Sequence, residues 1–249
     1  MSAPILEVAA NSVASALAAE AGGAARVELC SALEVGGLTP SHAAIAIAQE
    51  RLGIPVHVLI RPRAGDFVFD DLECEVMQRD IETCKALGCA GVVIGVLDAD
   101  GGMDVARCRA LMDAARGASV TFHRAFDFTR DPFAVLDAII ALGCDRLLTS
   151  GQADDALTGA PLIRTLVDRA RGRITIMPGG GIDANNIAAI ARTTGAHEFH
   201  ASAKVRVPGR MRNAPSRIGN MDDCDWQTDA GEVRARVEAL RATTPSAHA

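Results

Sequence analysis

One local pattern recurs along the chain and restricts its fold more than any other feature. A helix rich in alanine and leucine is followed by a Gly and then by a short β-branched run. The pattern is written as AEAGGAARVELC, KALGCAGVVIGV, IALGCDRLLTSG and RTTGAHEFHAS. Gly readily adopts the left-handed conformation that ends a helix, so the next residues can enter a strand. The strand-like runs are short and almost continuously apolar, which is typical of parallel strands buried on both faces.

Eight strands that alternate with helices are predicted along the 249 residues. The strands are predicted at 5–10, 26–30, 56–61, 91–96, 119–125, 146–150, 174–179 and 198–202. The helices are predicted at 12–21, 40–51, 73–87, 104–115, 131–142, 158–170 and 183–192, with a last helix at about 228–241. This alternation predicts an α/β fold, a single-domain (β/α)8 TIM barrel over residues 1–249, with a flexible tail from about 242. A doubly wound open sheet is the weaker alternative, because no G-x-G-x-x-G follows the first strand.

Composition narrows the classes of function. A net charge of −6 argues against a nucleic-acid-binding protein. No apolar run approaches the roughly 20 residues of a membrane helix, and we expect no secretory signal. The seven cysteines are odd in number and form no C-x-x-C motif. They favour free thiols in a reducing cytoplasm over disulfides or a structural zinc site.

Polar residues collect where the predicted strands end. In a (β/α)8 barrel these strand ends and the loops after them build the active face. Predicted strand five ends in VTFHRAFD, which brings His123, Arg124 and Asp127 to this face. Adjacent strand residues point to opposite sides, so Arg124 either points inward with His123 or pairs with Asp127 as a loop clasp. The other candidates are Glu7, Glu28, Cys30, Arg61, Arg63, Asp66, Ser150, Gln152, His200 and Ser202.

Charged groups inside a barrel are costly unless they are paired. We therefore expect Glu7, Glu28, Arg61 and His123 to form one network of mutually compensating groups. A network of this kind could serve only to fill the barrel. Its convergence on one face favours a functional site, because such sites gather ionisable groups with perturbed pKa values.

Two further features indicate anion binding. Gly179, Gly180 and Gly181 follow predicted strand seven and precede a helix, where backbone N–H groups can approach a phosphate closely. The same glycines would also suit a tight turn that binds nothing. Residues 204–220, KVRVPGRMRNAPSRIGN, contain five basic residues and no acidic one. This basic loop would attract a carboxylate or phosphate if it folds over the barrel mouth, and is a solvated loop if it points outward.

Six blocks of the sequence resemble a known protein family. The blocks ARVELCSALEVGGLTPS, LIRPRAGDFVF, VTFHRAFD, LLTSGQ, GGGI and EFHASA, in this order and spacing, resemble the CutC family of copper homeostasis proteins. The match spans nearly the whole chain, from Glu7 to about Asn220. The resemblance implies a TIM barrel, a cytoplasmic location, a homodimer or higher homo-oligomer, and a role in copper handling.

The resemblance also assigns residues. The polar candidates named above match the residues at the family's barrel mouth, and Cys30 in ELCS matches the cysteine on which copper proposals centre. Two positions depart from the family pattern. Phe69 stands where relatives often carry Tyr, and Pro178 precedes the glycines where a smaller residue is more usual.

Two hypotheses of function follow. In the first, the protein binds Cu(I) through Cys30 and contributes to copper homeostasis. In the second, it is an enzyme of lyase, isomerase or hydrolase type that acts on a small molecule bearing a phosphate or carboxylate. His123 or Glu28 would then be the general acid or base, with Glu7 and Asp127 as further catalytic candidates. Cu(I) prefers several soft ligands, so the number of soft ligands near Cys30 discriminates between the two.

Overall fold

A computed structural model, which describes residues 4–212 and 224–243, contains eight parallel strands arranged as a barrel. The strands are β1 (Ile5–Ala10), β2 (Arg26–Leu29), β3 (Val56–Leu59), β4 (Gly91–Ile94), β5 (Ser119–Phe122), β6 (Arg146–Thr149), β7 (Thr175–Pro178) and β8 (Glu198–Ala201). Neighbours run in the order β7-β6-β5-β4-β3-β2-β1-β8, and a parallel bridge between Gly179 and His200 joins β7 to β8. The predicted (β/α)8 barrel is confirmed.

Helices connect the strands in sequence. They are α1 (Val13–Ala21), α2 (His42–Arg51), α3 (Asp71–Ala86), α4 (Val105–Ala114), α5 (Pro132–Leu142), α6 (Ala160–Ala170), α7 (Ile187–Thr194) and α8 (Ala230–Arg241). Helix α7 begins four residues later than predicted. The Asp183 carboxylate accepts hydrogen bonds from the backbone amides of Asn185 and Asn186, and these bonds hold that segment in a turn.

The repeated Gly acts as the sequence pattern predicts. In the four quoted segments, Gly23, Gly88, Gly143 and Gly195 have φ values of 94°, 77°, 92° and 70°. These values lie in the left-handed region, which an L-residue with a Cβ occupies only at a cost. Each Gly therefore lets the chain leave a helix and enter the next inner strand within a few residues.

A short antiparallel ribbon follows the barrel strands. Residues 204–207, predicted as part of the basic loop, form strand β9 (Lys204–Val207), which pairs with β10 (Asp225–Thr228). The Lys204 ammonium lies 4.7 Å from the centroid of the Trp226 ring, within cation–π distance. The predicted basic loop from residue 213 to 220 and the predicted tail from residue 244 to 249 lie outside the described residues.

The barrel interior is polar near the N-terminal ends of its strands. Arg26 donates through Nε to Glu7, and through Nη2 to Glu198 at 2.7 Å. Arg146 donates to the same Glu198 carboxylate at 2.8 Å. We call Glu7, Arg26, Arg146 and Glu198 the floor cluster. Its two cations balance its two anions, so these buried charges compensate one another.

Breaking the floor cluster is expected to destabilise the fold strongly. Arg26→Met would leave the completely buried Glu7 carboxylate without its cation, at a cost of about 3–5 kcal/mol in free energy of unfolding. The matched control is Arg79→Met, which removes the exposed pair with Glu75 and should cost less than about 1 kcal/mol. Urea unfolding of both variants measures the difference. Equal losses would contradict a structural role for the floor cluster.

Candidate functional site

A cavity of about 370 Å³ opens at the C-terminal end of the barrel, the face on which (β/α)8 barrels carry their sites. Its walls include the apolar side chains of Leu33, Leu59 and Phe67. The ionisable residues that line it are Glu28, Arg61, His123, Arg124, His200 and Lys204. The cavity is thus apolar in part, with a few converging polar groups, as ligand sites usually are.

A wider surface groove of about 850 Å³ lies between α5 and α6. Its Arg169 and Asp137 already form an ion pair at 2.6 Å, and both side chains are close to half exposed. Exposed paired charges offer little to a ligand, because water and the partner already satisfy them. The cavity at the mouth is the better candidate site.

His200 lies between two buried carboxylates at the bottom of this cavity. Its Nδ1 is 2.7 Å from a Glu7 oxygen, and its Nε2 is 3.7 Å from a Glu28 oxygen. The barrel register explains the arrangement. Glu7 pairs with His200 across β1 and β8, and Ala9 pairs with Glu28 across β1 and β2. Glu7 also accepts a hydrogen bond from Arg26. The floor cluster therefore holds Glu7 in place, and Glu7 in turn orients His200.

The two carboxylates have opposite electrostatic environments. The pKa of Glu28 is raised to about 7, because burial and the Glu7 carboxylate outweigh the attraction of His200 and Arg26. Burial also raises the pKa of Glu7, but the hydrogen bond from His200 and the charge of Arg26 outweigh it and hold that pKa well below its usual range. Two carboxylates whose pKa values are driven apart are suited to different roles. Glu28 can exchange a proton near neutral pH, whereas Glu7 stays ionised.

The two carboxylates also change the pKa of His200. Burial lowers its pKa, but the Glu28 and Glu7 carboxylates outweigh burial and raise that pKa above the ordinary value. Glu28 accepts no hydrogen bond from the described residues; His200 Nε2 lies 3.7 Å from it, and a Glu7 oxygen lies within 4.8 Å. The Glu28 carboxyl group is therefore available to a ligand in the cavity.

Arg61 is a buried cation without a carboxylate partner among the described residues. Its guanidinium donates to three loop carbonyls, those of Val35 at 2.8 Å, Gly37 at 3.1 Å and Gly65 at 2.8 Å. Its Nε has no hydrogen-bond partner in the described ranges, and the residue is only 5% exposed. A buried charge of this kind is stabilised by a counter-charge, so the cavity favours an anion beside Arg61.

His123 stands next to Arg61 across a shared aromatic ring. The Phe67 centroid is 4.8 Å from the Arg61 guanidinium carbon and 5.1 Å from the His123 ring centroid. Burial and the Arg61 charge lower the pKa of His123 to about 3. Its Nδ1 accepts a hydrogen bond from the Ala125 amide, whereas its Nε2 is buried and has no partner among the described residues.

Arg124 and Asp127 lie in the short 3-10 helix Arg124–Phe128 after β5, and they form the loop clasp that was one of the two predicted arrangements. Arg124 donates to Asp127 at 2.8 Å and to the Ser150 hydroxyl at 2.8 Å. Asp127 also accepts from Thr149 and from the backbone amides of Ser150 and Gln152. Asp127 thus fixes the loop after β6 and does not line the cavity, whereas Arg124 does.

Several other candidates lie away from the cavity. Arg63 donates to Glu73 at 2.5 Å and pairs with the exposed Asp66 at 3.1 Å, outside the cavity wall. The Gln152 amide donates to the Thr129 carbonyl. Sequence alone did not show that the chain turns outward directly after Arg61.

The three glycines that follow β7 have different surroundings. Gly180, Gly181 and Ser202 line the cavity. Gly179 instead packs at the junction of β7 and β8, where an added Cβ would approach Leu148 Cδ1 to 2.5 Å. Gly179 is therefore required by barrel closure, and the next two glycines are the ones placed to meet a ligand.

Cys30 lies beneath the cavity wall. It is 1% exposed and packs with Leu59 and Val93 under the partly buried Leu33. Its thiol donates to the Ala10 carbonyl at 3.6 Å, and burial raises its pKa, as does the charge of Glu28. Among the described residues, Glu7, Glu28 and His200 form the one group of three or more His, Cys, Asp and Glu side chains placed to hold a metal ion.

Sequence reasoning missed two residues of the site. Arg26 lies two positions before Glu28, and this spacing on a strand is a signal that it shares the inner face. Gly95 is the second, because a Cβ there would approach Cε1 of His123 to 2.4 Å. The close packing of Gly95 against the imidazole fixes the position of the ring, and nothing in the local sequence marks it.

Fold and cavity together define a (β/α)8-barrel protein with a cation-lined polar pocket at its C-terminal face. The chain belongs to the CutC family, whose family model matches residues 4–205. The CutC protein of Xanthomonas axonopodis pv. citri is 54% identical over 95% of this chain and 98% of its own length. The CutC protein of Xylella fastidiosa is 53% identical over 94% of this chain and 88% of its own length. A crystal structure named for the copper homeostasis protein CutC from Streptococcus agalactiae is 35% identical, with a TM-score of 0.77 over 80% of this chain and 98% of that one. None of the described helices is both long and apolar enough to span a membrane.

Glu28→Gln is expected to change how stability depends on pH. The pKa of Glu28 rises from 4.5 to about 7 on folding, so between these values the folded protein holds a proton that the unfolded chain has released. The associated stability is complete below about pH 4.5 and is lost as pH rises through about 7. Unfolding free energies in urea should therefore show the variant gaining on the wild type between about pH 5 and 7.5. A difference that stays constant over this pH range would contradict the raised pKa.

Proposed function

We propose that this CutC-family protein is an enzyme that binds a small phosphate- or carboxylate-bearing molecule in the mouth cavity and transfers a proton on it through Glu28. The single observation that carries the proposal is the presence, in one cavity, of a buried cation without a carboxylate partner and a carboxyl group that accepts no hydrogen bond, as far as residues 4–212 and 224–243 are concerned. Arg61 supplies the cation and Glu28 the carboxyl group.

The cavity's charges support an anionic ligand. Arg61, Arg124 and Lys204 all line it, and the glycines at 180 and 181 bring backbone close to the same space. A cluster of cations in a partly enclosed cleft attracts anions even when the whole protein is acidic. Arg124 is already paired with Asp127, so Arg61, which has no carboxylate partner among the residues that the structure describes, provides the larger share of the attraction.

The carboxyl side supports acid–base chemistry. A general acid or base is most effective when its pKa lies near the working pH, and burial brings Glu28 to about 7. His200 lies beside it and is held by the ionised Glu7. Protons can therefore be exchanged between the ligand and Glu28 with His200 as the neighbouring charge-compensating group.

Ligand binding should depend on Arg61 and not on its near neighbour Arg63. Titration calorimetry with inorganic phosphate and with malonate should show at least about 10-fold weaker binding in Arg61→Gln, the loss of one charge-assisted contact. Arg63→Gln is the matched control, because its side chain pairs with Glu73 outside the cavity.

Thermal unfolding checks that Arg61→Gln is folded, because this residue also binds loop carbonyls. Lys204→Gln offers a second cavity variant, which removes another lining cation without touching these carbonyls. Equal affinities in wild type and both cavity variants would overturn the anion site.

A direct copper role is the second candidate, and it is carried by the name of the Streptococcus agalactiae relative. The residues present do not fit Cu(I). Cys30 is buried among apolar side chains with its thiol on a carbonyl, and Cu(I) prefers several thiolate or thioether ligands. The Glu7, Glu28 and His200 group offers oxygen and nitrogen donors, which suit harder ions. These observations favour an indirect connection to copper.

Cu(I) titration of reduced protein against a calibrated chelator tests this point. Cys30→Ser should bind no differently from wild type, and neither should the control Cys144→Ser, which removes another buried thiol. Stoichiometric binding that is lost only in Cys30→Ser would contradict the expectation and restore Cys30 as the copper ligand.

We also infer a cytoplasmic location and a homo-oligomeric state. Six cysteines are buried as free thiols, which suits a reducing compartment. The oligomer rests on the family resemblance alone, and light scattering of the purified protein tests it.

A further inference from the structure

The hydrogen bonds of His123 determine which of its nitrogens carries a proton. Nδ1 accepts from the Ala125 amide at 3.1 Å, at the start of the short 3-10 helix Arg124–Phe128. A ring nitrogen that accepts from an amide holds no proton of its own. The proton of the neutral imidazole is therefore on Nε2, and Nε2–H is a hydrogen-bond donor.

This donor is buried and unsatisfied. His123 Nε2 has no acceptor among the described residues, although the side chain lines the cavity. A buried donor without an acceptor is costly, unless a ligand supplies the acceptor. The neighbouring Arg61 cation opposes protonation of the ring, and Asp127, the nearby acid, is already bonded to Arg124.

A proton acceptor lines the same cavity. Glu28 is about as buried as His123 and accepts no hydrogen bond from the described residues. The cavity thus presents a carboxyl base, a neutral N–H donor and, beside the donor, the uncompensated Arg61 cation. A base together with a neutral imidazole donor is an arrangement that serves proton abstraction next to a carbonyl group.

We propose that His123 is a catalytic residue that donates Nε2–H to the carbonyl oxygen of the substrate, and that the reaction is proton transfer at the carbon beside that carbonyl. The substrate class is a small oxo acid or a phosphorylated hydroxy-ketone. The inference rests on the proposed function, because it uses the same cavity, the same anion site and Glu28 as the base.

The step conserves atoms and electrons without an added oxidant or reductant. Glu28 removes a proton from the α-carbon, the C–H pair forms a carbon–carbon double bond, and the carbonyl π pair moves onto the oxygen. His123 stabilises the resulting enolate oxygen by its hydrogen bond and keeps its own proton. Return of the proton from Glu28 to the same carbon regenerates the substrate with its α-proton exchanged. Return to the neighbouring carbon of a hydroxy-ketone, with the hydroxyl proton passing to the former carbonyl oxygen, gives the isomeric aldehyde.

The first test is the protonation state of His123 itself. Histidine-selective ¹⁵N NMR, assigned with His123→Gln, should show a neutral ring with the proton on Nε2 between about pH 5 and 8. A charged imidazolium in this range, or a proton on Nδ1, would overturn the inference.

The second test measures proton exchange in D₂O with pyruvate and dihydroxyacetone phosphate as probes, followed by ¹H NMR. The wild type should exchange the protons beside the carbonyl faster than buffer does. Glu28→Gln should be at least about 100-fold slower. His123→Ala should also lose about 100-fold, whereas His123→Gln should recover much of the rate because its amide donates from nearly the same place. Arg63→Gln should match the wild type.

The two proposals fail in different ways. If phosphate binds in an Arg61-dependent manner but neither probe exchanges, or exchange ignores His123, the carbonyl mechanism is wrong and the anion site stands. If phosphate and malonate do not bind either, the proposed function fails together with the inference.

Discussion

The rest of the structure depends on the buried ion pair between Arg26 and Glu7 on the first two strands. Glu7 is completely buried and needs a cation, and Arg26 provides it while also reaching Glu198. With its charge secured from below, Glu7 can present its other oxygen to His200 at 2.7 Å. The orientation of His200, and through it the environment of Glu28, therefore follows from how the floor cluster is paired.

The charged groups at the mouth of the barrel are arranged differently from those of the floor cluster. The floor cluster balances two cations with two anions, whereas Arg61 at the mouth donates to loop carbonyls and meets no carboxylate in the described part of the chain. The Phe67 ring packs against both Arg61 and His123, and both residues are at most 5% exposed, so the cation acts strongly on the imidazole. A structural network would be expected to close its charges, as the floor does. The mouth leaves a cation, a donor and a carboxyl group open to one cavity, and this difference separates a site from a core.

Much of the candidate site could be predicted from the sequence because successive side chains of a strand alternate between its two faces. Residues two apart on a buried strand share a face, so Glu28, His123 and His200 could be placed inside the mouth from spacing alone. What spacing cannot give is register across the barrel. The contact between Arg26 and Glu198 joins positions 172 apart, and it requires all eight strands to be aligned.

The direction of loop side chains was the second feature that the sequence could not predict. Arg63 follows Arg61 by two residues yet faces outward, because the strand has already ended at Leu59.

The contact between Glu7 and His200 has a consequence for how the site comes into being. It joins residues 193 apart in the chain, and it lies across the β1–β8 pair that closes the barrel. Contacts of such long range form only after a large loss of chain entropy, so they belong to the late stages of folding. On the ribosome, seven strands emerge before the residue that completes the carboxylate–imidazole–carboxylate row. Folding and assembly of this row are therefore one event in this protein, and a nascent or truncated chain that ends before His200 lacks the row altogether.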